Sequence, residues 1–277
     1  MGLRHSEALT LPTSVIQRLQ SLAGERLGLE SREGKELLIS NRAGRHMRKL
    51  GISSPEEYLR VVEADPEGDA ARELLDLLTT NHTAFWREPS HFRWFAEYLA
   101  ALPAQRAITV WCAAASTGEE PYTLAMLAHE VFGAAAPRRV RVLATDVSTR
   151  VLETAEQAIY TSERVSALPD GFSRRYFEPG RGRWRNHLRV GPSVREMVHF
   201  RRLNLTGSFP RMGPYPVVFC RNVMIYFSPE LRARMVGKLF DTIEPSGYLL
   251  VGHAEGLVGI EAVASLVQTA VYRKRAT

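Results

Sequence analysis

From about residue 106 onward, short apolar runs rich in β-branched residues alternate with longer segments of helical periodicity. The runs are AITVWC at 107–112, RVRVLATD at 139–146, VHFRRLN at 198–204, YPVVFCRN at 215–222 and GYLLVGH at 247–253. Between them, helices are predicted over Glu119–Phe132, from Ser148 to about Ala158, and over Pro229–Ile243. Strands separated by helices have room to run parallel, so the pattern predicts a mainly parallel sheet covered by helices on both faces. The tail SLVQTAVYRKR reads as a last strand, pairing antiparallel at an edge. Between the second helix and VHFRRLN lies an insertion, residues 160–197, with turn signals at Pro179-Gly180, Gly182 and Gly191-Pro192. It is predicted to hold a short helix and a small β-hairpin.

In an open α/β sheet, ligands sit beyond the carboxyl ends of the strands. The residues there are Ala113 to Glu120, Asp146, Asn204, Arg221 with Asn222, and His253 to Glu255. The first of these loops, AAASTGEEPY, has one glycine, Gly118, and two acids at the start of the helix. Pyrophosphate binders need several glycines, and P-loops need Gly-Lys-Ser/Thr; neither pattern occurs. An acid at the helix start, Glu119 or Glu120, repels phosphate and attracts an ammonium or sulfonium group. Asp146, at the end of the second run, is placed to accept both hydroxyls of a ribose. S-adenosylmethionine combines these properties: a nucleoside, no phosphate, a cationic sulfur and a cationic amine.

Residues 1–85 show helical patterns and no convincing strand. In GKELLISNRAGRHMRKLG, Ile39, Ala43, Met47 and Leu50 form an apolar stripe, while Arg42, Arg45, Arg48 and Lys49 form a cationic one. Ser54 reads as an N-cap, with Pro55 at the first helical position. The first twenty residues hold no continuous apolar stretch, and no window approaches a membrane span of about 18 apolar residues, so a cytoplasmic chain is expected. The 277 residues carry a net charge of +6, and the excess is local. Residues 172–211 hold ten arginines against Glu178 and Glu196. Cys112 and Cys220 each lie inside a strand-like run, which favours buried reduced thiols over a disulfide or a nucleophile. The eight histidines are scattered without ligand spacing, so no metal is expected.

The stretches TTNHTAFWRE, AAASTGEEPYTLA, ATDVSTRVLETAEQAIY, CRNVMIYF and GYLLVGHAE together resemble the CheR-type chemotaxis receptor methyltransferases. The resemblance extends from about residue 35 to the C-terminus. It implies an α/β fold with a Rossmann-like S-adenosylmethionine-dependent methyltransferase sheet over residues 86–277. A small antiparallel β-subdomain at about 180–200 and an all-helical receptor-docking domain over 1–85 complete the implied architecture. The implied reaction moves a methyl group from S-adenosylmethionine to receptor glutamate carboxylates, leaving S-adenosylhomocysteine. By the same resemblance, Asn81, Thr83, Arg87, Glu120, Asp146, Asn204, Leu205, Arg221 and Asn222 contact the cofactor. Arg87 and Tyr226 fall at the transfer site, and Arg42, Arg45 and Arg48 on the helix that meets acidic receptor helices. A monomer is expected, without nucleic-acid binding or membrane insertion. Trp86 replaces the second phenylalanine of the usual pair, and Ala254 stands where serine is common; neither removes a group the transfer needs. The rival reading is a nucleic-acid methyltransferase whose arginine-rich hairpin follows a phosphate backbone, and a second is a non-catalytic module that binds cofactor or receptor.

Overall fold

The N-terminal helices form because apolar residues recur there at every third or fourth position. The computed structural model describes residues 11–29, 34, 36–65, 68–79 and 81–276, so the first ten of the twenty N-terminal residues read above lie outside the described residues. The first unit contains α1 (Thr13–Leu27), α2 (Glu36–Leu50), α3 (Pro55–Ala64) and α4 (Asp69–Leu78). Leu19, Ala43, Met47, Tyr58 and Leu74 bring one buried side chain or more from each helix into a shared core. Ser54 does cap α3: its hydroxyl accepts the Glu57 N–H at 3.2 Å. Leu50, read as part of the packing stripe, is 39% exposed, because α2 ends there.

Arg42 also departs from expectation. Its Nη1 donates to the carbonyls of Leu77 and Thr79, at 2.7 and 3.1 Å. Those carbonyls lie where α4 runs out of intrahelical donors, so Arg42 caps a helix end instead of joining an open cationic face. Arg45 and Arg48 do stay exposed. Residues Tyr226–Ser228 group with this unit, and Phe227 bridges Leu29 in antiparallel sense. The division therefore falls between residues 80 and 81, a few residues before the expected boundary at 85.

The second unit runs in order through α5 (Pro89–Ala100), β1 (Ile108–Ala113), α6 (Glu119–Phe132), α7 (Ala136–Arg139), β2 (Val140–Asp146) and α8 (Thr149–Gln157). The insertion follows, with β3 (Ile159–Thr161), α9 (Ser162–Val165), α10 (Phe172–Tyr176), β4 (Phe177–Pro179), β5 (His187–Val190) and α11 (Pro192–Arg195). The chain then completes the sheet through β6 (Val198–Arg202), β7 (Tyr215–Cys220), α12 (Pro229–Asp241), β8 (Ile243–Leu250), β9 (Ala264–Gln268) and β10 (Val271–Lys274).

The seven-stranded sheet has the order β6-β2-β1-β7-β8-β10-β9. Its first five strands are parallel, and every residue of β7 is buried, as is all of β1 but Thr109. A strand buried at successive residues is covered on both faces, which is why these runs lack polar alternation. Two details differ from the sequence reading. The tail folds into two strands, with β10 inserted antiparallel between β8 and β9 and Ala270 at φ 60° in the turn. The insertion is three-stranded: β3 and β4 both pair with β5, so its small sheet draws on strands outside the 180–200 stretch expected to hold it. Topology then fixes the crevice: the chain leaves β1 for β2 on one side and returns to β7 on the other, so the strand order reverses between β1 and β7.

Candidate active site

After Ala113 the chain must reverse within five residues to begin α6 at Glu119. It does so with Ala114 at φ 60°, Ser116 at φ 50° and Gly118 at φ 94°. Left-handed backbone is uncommon for residues other than glycine, and clusters of it mark functional turns. At Gly118 an added Cβ would lie 2.9 Å from both the Ala155 Cβ and the Tyr160 hydroxyl, so no side chain fits. The Tyr160 hydroxyl donates to the Thr117 carbonyl at 2.6 Å. Ser116 N–H donates to Asp146 Oδ2 at 2.8 Å, and Ser148 N–H to Oδ1 at 3.0 Å. Two loops thus fix the carboxylate at the end of β2.

The two acids of the loop part company. Glu119 is fully buried; its carboxylate accepts from the Thr117 hydroxyl at 2.8 Å and pairs with Arg164 of the insertion. Burial raises the Glu119 carboxyl above its ordinary value despite Arg164. Glu120 keeps 14% of its side chain exposed. Its Oε1 accepts from the Cys112 thiol at 3.1 Å, and its Oε2 pairs with Arg221. Burial, with Glu120 beside it, pushes the Cys112 thiol far up, so it stays a donor. Of the two alternatives, Glu120 is the one with an open edge.

Arg221, at the end of β7 and expected among the cofactor contacts, pairs with Glu120. Its side chain is 1% exposed, and its Nη2 donates to the Arg87 carbonyl at 2.6 Å and to Glu88 Oε2 at 2.9 Å. Glu88, which the sequence reading passed over, also accepts from Asn222 Nδ2 at 3.0 Å and His253 N–H at 3.3 Å. Burial opposes its charge, but the hydrogen bonds from Asn222 and Arg221 bring its carboxyl down to about 2. Glu255 was noted only as a strand-end residue. It is fully buried and accepts from the backbone N–H groups of Asn222, Met224, Ile225 and Gly252. The signal for both acids was their place inside RE and HAE at loop starts.

Asn81, Thr83 and Arg87 line the same unit at partial exposure. The Asn81 carbonyl accepts from the Ser116 hydroxyl at 3.1 Å, and Arg87 Nη1 donates to the His82 carbonyl at 3.0 Å. Asn204 stands just past β6, where its Oδ1 shapes the turn by accepting from Thr206, and Leu205 is buried beside it. Tyr226, expected at the transfer site, falls in the segment that groups with the helical unit. Among the described residues, Glu88, His91 and His253 place possible metal donors within 4.8 Å of one another. The guanidinium of Arg221 already occupies Glu88 Oε2 and would repel a dication there.

Glu119 and Glu120 follow β1 and Asp146 ends β2, with no lysine in either loop. Residues 81–273 match the family model described as "CheR methyltransferase, SAM binding domain", and residues 14–79 match "CheR methyltransferase, all-alpha domain". The chain is 34% identical over 271 residues to the chemotaxis protein methyltransferase of Escherichia coli (strain K12), covering 98% of this chain and 94% of that one. It is 36% identical over 251 residues to the Klebsiella aerogenes protein of the same name, covering 90% and 86%. With chemotaxis protein methyltransferase 2 of Pseudomonas aeruginosa the identity is 35% over 260 residues, covering 93% and 90%. With both of its units matched by the family's models and relatives at 34–36% identity over most of its length, the chain belongs to the CheR methyltransferase family.

Proposed function

We propose that this methyltransferase esterifies glutamate side chains on the acidic cytoplasmic helices of chemotaxis receptors. The observation that supports the reading is a network at the ends of β1, β2 and β7, in which Arg221 ties Glu120 to the Arg87 carbonyl and Ser116 ties Asp146 to the Asn81 carbonyl. When bound, S-adenosylmethionine supplies a methyl group activated by its positively charged sulfur. Asp146 is placed to accept the ribose hydroxyls, and Glu120 to face the cationic part. Asn204 and Leu205 would flank the adenine, and Asn81, Thr83 and the Asn222 loop would border the rest of the cofactor. No helix among the described residues is long and apolar enough to cross a membrane.

A glutamate carboxylate, with an ordinary pKa near 4.3, is already ionised at neutral pH, so no strong base is required. Catalysis then lies in alignment and water exclusion, contributions that reach about 7–11 kcal/mol in favourable cases. Arg87 orients the incoming carboxylate by a charge-assisted hydrogen bond. Arg87→Ala is expected to lower kcat about thirtyfold while changing the cofactor Kd less than about threefold, the mark of a group acting on the acceptor. Steady-state rates beside calorimetric titration check this; an unchanged kcat removes Arg87 from the transfer site.

Docking draws on Arg45 and Arg48, since Arg42 is committed to α4. Replacing both by glutamate is expected to raise KM for a receptor fragment about tenfold at low salt and to flatten its salt dependence. An unaltered salt slope would leave these arginines as a solvated helix face. Arg181, Arg183, Arg185 and Arg189 are exposed around the β4–β5 hairpin and keep one rival in play, a nucleic-acid substrate. The deciding experiment offers labelled S-adenosylmethionine with receptor cytoplasmic fragments, then with RNA and DNA. Label released as methanol by alkali identifies a carboxyl ester, whereas alkali-stable label on nucleic acid overturns the proposal.

A further inference from the structure

We propose that Glu88 is a positioning residue for methyl transfer, acting through the buried Arg221 guanidinium on both Glu120 and the backbone of Arg87. The inference rests on the cofactor site proposed above and adds to it an acid with no assigned contact to a ligand.

Three segments meet at this one cation. Arg221 follows β7 and pairs through Nη1 with Glu120 of α6, while its Nη2 reaches Glu88 and the Arg87 carbonyl just before α5. Its guanidinium carbon lies 5.3 Å from the centre of the Phe92 ring, which closes one side to water. A guanidinium buried this deeply requires an anion, and here it has two. Glu88 and Glu120 against Arg221 sum to one surplus negative charge. Hydrogen bonds from Asn222, His253 N–H and the Cys112 thiol steady that surplus, and each carboxylate keeps an open edge, 16% of Glu88 and 14% of Glu120.

The geometry makes Glu88 the fixed end of the triad. It takes hydrogen bonds from Asn222 and from His253 N–H as well as from Arg221, and it holds left-handed backbone at φ 58°, as does Asn222. Strained backbone of this kind persists when several bonds over-determine it. A cation arriving at Glu120 competes with Arg221 for that carboxylate. While Glu88 is ionised, Arg221 keeps an anionic partner on its other arm and can share Glu120. Without that charge, the whole of Arg221 falls on Glu120, and the pull on a cationic ligand is cancelled. The same loss frees the arm that holds the Arg87 carbonyl.

Glu88 and Glu120 have no hydrogen bond to each other, Arg221 bonds to both, and a coupling that exceeds their direct Coulomb repulsion passes through it. The test is a double-mutant cycle on the full chain, reading the Kd of S-adenosylmethionine by calorimetry. Glu88→Gln is expected to weaken binding about tenfold when Glu120 is present, and less than about twofold in a Glu120→Gln background. Glu88→Asp, which keeps the charge on a shorter arm, is expected to recover part of the loss. Equal effects of Glu88→Gln in both backgrounds, or an aspartate no better than glutamine, overturn the proposal. Thermal melts show whether each variant folds. Should Glu88→Gln not fold, Arg221→Lys takes its place in the same cycle, because an ammonium cannot bridge both carboxylates, and additive effects again overturn it. A folded wild-type protein that takes up no S-adenosylmethionine sinks the cofactor reading and this proposal together. Normal uptake without coupling sinks this proposal alone.

Discussion

Asp146→Ala is expected to lower kcat/KM about thousandfold, nearly all of it through weaker cofactor binding. A thousandfold loss corresponds to about 4 kcal/mol, and two hydrogen bonds to a charged acceptor contribute about 1.5–3 kcal/mol each. The carboxylate cannot be replaced by rearrangement. Each of its oxygens already accepts one backbone N–H, from Ser116 and from Ser148, so its orientation toward the crevice is set before any ligand arrives. Alanine would leave both donors short of a partner in a region where Asp146 itself is buried, and would release Ser116 from its left-handed conformation. Asp146→Asn keeps one acceptor oxygen and turns an N–H₂ toward the other donor, so its loss should be intermediate. Calorimetric Kd values for S-adenosylmethionine, compared with kcat at saturating cofactor, separate binding from transfer. A wild-type Kd in the alanine variant would remove Asp146 from the ribose role.

Where physics acts locally, the sequence was readable. Alternating runs gave the parallel core of the sheet because β1 and β7 are covered on both faces and so carry apolar residues at successive positions. Ser148 and Ser54 were legible as helix starts for the same reason that they are helix starts, a side-chain oxygen accepting an N–H two or three positions on. What escaped depends on partners distant in the chain. Arg42 looks like its neighbours Arg45 and Arg48 along α2, and only the carbonyls of Leu77 and Thr79, more than thirty residues later, set it apart. Glu119 and Glu120 are adjacent acids at a helix start. Arg164 in the insertion claims one and Arg221 at the end of β7 the other, and no local pattern announces either pairing. The tail's second strand was hidden by its turn, made by Ala270 in place of a glycine or asparagine.

Glu255→Gln is expected to cost about 3 kcal/mol of stability and to abolish most transfer. The reason is arithmetic of donors and acceptors. A carboxylate offers acceptors on both oxygens, and here Oε2 takes the N–H groups of Asn222 and Gly252 while Oε1 takes those of Met224 and Ile225. Glutamine presents one oxygen and an N–H₂ group, so one pair of backbone donors would face another donor inside a fully buried pocket. Leaving a buried donor unpaired costs about 1–3 kcal/mol, and two are stranded together. For a unit of this size that corresponds to a fall in Tm of roughly 6–12 °C. The loop affected is the one that presents Asn222, whose left-handed backbone these bonds hold at φ 58°. Space forbids relief: a Cβ at Gly252 would lie 2.3 Å from Asn222 Nδ2 and 2.8 Å from Glu255 Oε2, so the wall cannot close in on the altered side chain. Differential scanning calorimetry with and without S-adenosylmethionine measures both consequences. If the variant melts at the wild-type temperature and the cofactor raises both melts equally, the four N–H groups are not what holds the Asn222 loop in place.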